Sequence, residues 1–88
     1  MRGRELYGHY HRLIDELAQL ARPGDDWQGS LRASIERFEA DAGTLESASA
    51  QLLREDLCAQ FEHEALRSTN PHAQEVLVAA VKWLELGS

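Results

Sequence analysis

Residues 76–86 read VLVAAVKWLEL, and this stretch decides the fold. At about 100° per residue, Val76, Leu77, Ala80, Val81 and Leu84 form one broad apolar face. Ala79, Trp83 and Leu86 carry apolar surface around the adjoining side. Only a strip holding Glu75, Lys82 and Glu85 stays polar, with Val78 inside it. A helix this apolar does not stand at a surface, so the preceding segments are expected to cover it. It is also too short to span a bilayer, which takes about 20 apolar residues.

Immediately upstream, Ser68-Thr69-Asn70-Pro71 breaks the chain. Asn70 is expected as the N-cap and Pro71 at the first helical position, where its missing N–H costs nothing, giving a helix over 71–86. Before that break, residues 45–67 read as a helix with two apolar rows. One row runs Leu45, Leu52, Ala59, Leu66 at seven-residue spacing; the other runs Ala50, Leu53, Leu57, Phe61, about 140° around the axis. Asp56, Gln60, His63 and Arg67 form a polar seam between them. A helix with two such rows can touch two neighbours, inside this chain or outside it.

Two further helices complete the pattern. Over 4–21, Leu6, Tyr10, Leu13, Leu17 and Leu20 form a stripe that Tyr7, Ile14 and Ala21 widen. Arg22-Pro23-Gly24 stops this helix. Asp25 and Asp26 are candidate N-caps for a helix over 26–42, with Ser30 the alternative; its narrow stripe is Trp27, Leu31, Ile35, Phe38 and Ala42. Gly43 suits a left-handed position after that helix, and Thr44 suits a cap for the next. Nothing alternates with period two, so no strand competes. The expected fold is all-α, a four-helix bundle or a pair of helical hairpins, in a single domain over 1–88.

The formal net charge of −6 over 88 residues works against a nucleic-acid surface and an anionic membrane surface, and it favours a basic partner. A helix-turn-helix at Gly43 would present Glu46, Glu55 and Asp56 to phosphates, with Arg54 the only basic residue before Arg67. Cys58 is the single cysteine, so no internal disulfide forms; with no signal-peptide pattern at the N-terminus, a cytoplasmic location is expected.

Catalytic chemistry finds no footing. Cys58 and His63 are five residues apart on one helix, about 140° around it, so the imidazole does not reach the thiol. Glu55 and Glu62 raise the thiol pKa instead of activating it. No phosphate loop, Gly-x-Ser-x-Gly or HExxH pattern occurs. His9 and His11 point about 200° apart on a helix, and no Glu-x-x-His pair is present. A metal or small-ligand site built from His63 with Glu62 or Glu64 is the alternative reading; no cofactor is expected.

The leading expectation is a non-enzymatic protein that binds another protein and self-associates as a homodimer, because apolar area on the last two helices exceeds what two amphipathic neighbours cover. The acidic second and third helices would form the outer, basic-partner-seeking surface. The expected interface residues are Leu45, Leu52, Asp56, Ala59, Gln60, His63, Leu66 and Arg67 on the third helix, with Ala79, Trp83 and Leu86 on the fourth. Tryptophan is enriched at interface hot spots, and Trp83 lies off the main apolar face.

Overall fold

A computed structural model of the chain describes residues 3–86. It contains four helices: α1 (Gly3–Leu20), α2 (Trp27–Ala42), α3 (Ser47–Arg67) and α4 (Pro71–Leu86). They form a four-helix bundle with no strand among the described residues. The radius of gyration is 12.4 Å, close to the roughly 12 Å expected of a compact chain this long. No helix of the described residues is long and apolar enough to cross a membrane.

The joints follow from local chemistry. Gly24 takes a φ of 98°, which closes the turn after α1, while the Asp25 carboxylate accepts from the Arg22 N–H at 2.9 Å. Asp26 caps α2, its carboxylate accepting from the Gly29 N–H at 3.2 Å. A Cβ on Gly29 would lie 2.6 Å from that carboxylate, so the glycine that weakens the helix turn also makes room for its cap. Asn70 caps α4 by accepting from the N–H groups of His72 and Ala73, at 3.0 and 3.4 Å.

The joint between α2 and α3 differs from the sequence expectation. Gly43 is right-handed, with φ −63° and ψ −15°, and prolongs the turn through a bond from its N–H to the Glu39 carbonyl. Thr44 does not cap α3; its hydroxyl donates to the Asp41 carbonyl at 2.7 Å. The helix begins at Ser47 instead of Leu45, with Glu46 at the N-cap and no side-chain bond there. The chain needs the intervening residues to turn the corner.

Side-chain neighbours fix the arrangement. Tyr10 of α1 donates to Asp41 near the end of α2, so these two helices run antiparallel. Ala65 and Leu66 of α3 meet Gln74 and Val78 of α4, again antiparallel. Arg4 and Tyr7 lie beside Leu52 and Asp56, and His11 meets Glu64, so α1 and α3 run parallel. Trp27 meets His72 and Arg32 meets Trp83, so α2 and α4 also run parallel. Around the bundle the order is α1, α2, α4, α3. Both α1 and α4 touch all three other helices, while α2 and α3 lie across the long diagonal.

The core answers the α4 pattern directly. Val76, Leu77, Ala80, Val81 and Leu84 are all buried, joined by Ala73. The α2 stripe is buried as read, from Trp27 to Ala42. On α3, the row that includes Leu53, Leu57 and Phe61 is the buried one, extended by Ala65. The α1 stripe is rotated: Leu6, Tyr10, Ile14 and Ala18 are buried, Leu13 and Leu17 are half-buried, and Leu20 is exposed. Tyr10 sets that rotation. Its ring is fully buried, edge-on to Phe38 at 5.4 Å, and its hydroxyl reaches the Asp41 carboxylate. Burial, followed by the hydrogen bond and charge of Asp41, pushes its pKa up to about 12.

The two α3 rows make the sharpest test of this packing. Leu57→Ala is expected to cost about 2–5 kcal/mol, the range for emptying a closed core site. Leu66→Ala should stay within about 0.5 kcal/mol of wild type, as an exposed site does. Urea unfolding of both variants checks the assignment, and comparable losses would mean that the rows are reversed.

Candidate functional site

The second row of α3 is left facing outward. Leu52 is 61% exposed and Leu66 86% exposed, with Ala59 exposed between them. Leu45 is half-buried in the turn before the helix and packs against the core. Spacings of seven residues keep the three helical members near one face, because 3.6 residues per turn lets the row drift only about 20° per step.

Beside this row a groove of about 610 Å³ runs between α1 and α3. Leu52, Leu53, Asp56, Ala59, Gln60 and Ser49 line it from α3, and Gly3, Arg4 and Tyr7 from α1. Four expected interface residues, Leu52, Asp56, Ala59 and Gln60, therefore share one groove. The polar seam continues along the same side of the bundle, where Gln60, His63 and Arg67 face Asp15 and Gln19.

The α4 members of the expected interface lie elsewhere. Trp83 is 36% exposed, and the guanidinium of Arg32 sits 5.4 Å from its ring centre, so α2 partly covers it. Ala79 is half-buried beside Trp27 in the shallow cleft between α2 and α4. Leu86 is exposed. The α2/α4 side is opposite the α1/α3 side, so the expected residues form two separate surfaces and not one patch. Leu66 belongs to neither, since it lines the seam between α3 and α4.

Residues from α1 complete the groove, and helix periodicity within α3 alone did not point to them. Tyr7, read from the sequence as core, is half-buried and lines the groove. Next to it the His11 ring stacks between Tyr7 and Phe61, with centroids 5.8 and 5.7 Å away. Its Nε2 lies 2.9 Å from the Glu64 carboxylate. This pairing ties α1 to α3 below the groove. The four-residue step from Tyr7 to His11 was the available signal, but its partner on α3 was not visible from sequence.

These polar groups do not assemble a metal centre. Glu64 is engaged by His11, with the Gln60 amide 3.5 Å from the same oxygen, and His63 is exposed. No group of three His, Cys, Asp or Glu among the described residues is placed to hold a metal ion. The alternative reading at His63 with Glu62 or Glu64 thus lacks a converging donor set. Cys58 is half-buried, and its thiol pKa is pushed up to about 11 by burial first and then by Glu85 and Glu62. A thiol so protonated at neutral pH is a poor nucleophile.

Asp15 reports the acidity of this side of the bundle. Burial raises its pKa, with Glu64 adding to the effect and His11 opposing it. The folded chain therefore holds the Asp15 proton more tightly than the unfolded chain does. The charged carboxylate costs stability once pH exceeds the raised folded value, and the cost vanishes below the ordinary aspartate range. Asp15→Asn should raise Tm at pH 7, with the gain shrinking to nothing as pH falls through that window; a gain that persists at low pH would contradict the assignment. No protein-family model matches the chain, and no curated protein or solved structure shows significant similarity to it.

Proposed function

We propose that the chain is a small non-enzymatic module that binds another protein through the groove between α1 and α3, in the cytoplasm, where Cys58 stays reduced. The observation that carries this reading is Leu52, a large aliphatic side chain 61% exposed on the wall of a 610 Å³ groove. Apolar contact from Leu52, Ala59 and Tyr7, ringed by Asp56, Gln60, Ser49 and Arg4, matches the anatomy of a protein interface, with an apolar centre and polar rim. An apolar anchor on the partner would fill the groove, while the polar rim fixes its register.

Leu52→Asp tests this directly, because an exposed position tolerates charge without unfolding the bundle. Tm should change little, while capture of a specific partner by the tagged full chain from native cells is lost. A capture profile identical to wild type would remove the groove from the interface.

Self-association is a second reading, favoured by the partly exposed indole of Trp83 near exposed Leu86 on the α2/α4 side. An isologous contact there would pair two indoles about a twofold axis. Light scattering over a dilution series should then show dimer mass at high concentration, and Trp83→Ala should weaken dimerisation by roughly tenfold, as for an interface anchor. A monomeric mass throughout would end the dimer.

A further inference from the structure

A further feature lies in the seam between α1 and α3, and it does not depend on the α1/α3 groove being occupied. The two carboxylate oxygens of Glu64 are treated unequally. Oε1 accepts from His11 Nε2 at 2.9 Å and has the Gln60 amide 3.5 Å away. Oε2 is closed to water and has no hydrogen-bond partner. Buried polar atoms ordinarily have one, and leaving a charged oxygen without it is costly.

Asp15 stands one turn beyond His11 on the same side of α1, and it lines one cleft of about 650 Å³ together with Glu64. It is half-buried, and burial followed by the charge of Glu64 raises its pKa. His11 opposes that rise and Glu16 adds to it. From α3, His63 and Arg67 also line the cleft, but both are exposed. α4 contributes the buried Leu77, which brings no charge. The cleft thus holds a carboxyl that favours its proton and a carboxylate oxygen that lacks a donor.

We propose that Asp15 and Glu64 form a proton-operated latch between α1 and α3, in which the protonated Asp15 carboxyl donates to Glu64 Oε2. The proton comes from water, no other covalent bond is made or broken, and the pair gives up one of its two negative charges. A bond from O–H to a charged oxygen is stronger than one between neutral groups. Glu64 keeps His11 on Oε1, so the latch adds a second tie beside the first. It holds just above about pH 4, the ordinary aspartate value, and is lost as pH rises through the raised folded value. His11 stacks against Tyr7, which lines the groove, so the latch steadies the α1 wall of that groove at mildly acidic pH.

Melting of the full chain between about pH 4 and pH 8 tests the latch with two replacements. Asp15→Asn keeps a donor for Oε2 at every pH, whereas Asp15→Ala has none. Wild type should match Asp15→Asn at the acid end and fall below it as pH rises. Asp15→Ala should melt roughly 4 °C or more below Asp15→Asn throughout, although alanine is the better helix former. In a Glu64→Ala background that difference should vanish, because the acceptor is gone. The carbon-13 shift of the Glu64 carboxyl gives a second readout. It should register the Asp15 titration step in wild type and in Arg67→Gln, and lose that step in Asp15→Ala.

Three results would overturn the proposal. Coincident melting curves for Asp15→Asn and Asp15→Ala would mean that Asp15 sheds a charge and makes no bond. A difference that survives in the Glu64→Ala background would put the acceptor elsewhere. Loss of the Glu64 response in Arg67→Gln would assign Oε2 to the guanidinium.

Discussion

The bundle depends on hiding the apolar face of α4. Ala73, Val76, Leu77, Ala80, Val81 and Leu84 share one side of a sixteen-residue helix, and all are buried. Each large aliphatic side chain among them is worth about 1.5–3 kcal/mol when removed from water. No single amphipathic helix is wide enough to shield that face, so α1, α2 and α3 all pack against it. In a chain this short, a loss at one core position is a large fraction of total stability. The absence of polar or charged residues from the buried set of the described chain follows from the same demand.

That demand distributes the remaining apolar surface. α3 offers two rows, and α4 with α1 can cover only one. The row with Phe61 is chosen, because a phenyl ring brings more area into the core than the alanine opposite it on the outer row. Leu52 and Leu66 are then committed to the outside. Their exposure follows from the packing of α4, and it leaves grooves on both flanks of α3. These exposed grooves are what remains after the fold has satisfied itself.

Polar contacts adjust this frame without driving it. Tyr10 anchors α1 to α2 through Asp41, and His11 anchors α1 to α3 through Glu64. Together they set the roll of α1, which buries Ile14 and Ala18 and leaves Leu20 in water. Burying the small side chain of Ala18, where a longer one would hold the helices apart, favours close approach. The exposed Arg32–Glu36 pair on α2, at 3.3 Å, contributes little by comparison, since exposed ion pairs are screened and entropically costly.

The amino-acid sequence alone determined the four helices, the α2 and α4 core stripes and the cap at Asn70, and narrowed the α2 cap to Asp25, Asp26 or Ser30, because these depend on periodicity and on hydrogen bonds a few residues apart. It also reached Leu52, Asp56, Ala59 and Gln60 as neighbours, since they share one side of one helix. Only the tertiary structure decided which α3 row is buried, because two rows of similar apolar content give a helix no preferred inner side until a neighbour arrives. It likewise decided that Tyr7 joins the groove, that His11 finds Glu64, and that Trp83 faces away from Leu52. Those relations join residues far apart in the chain, and the roll of each helix in the bundle sets them, which local spacing does not encode.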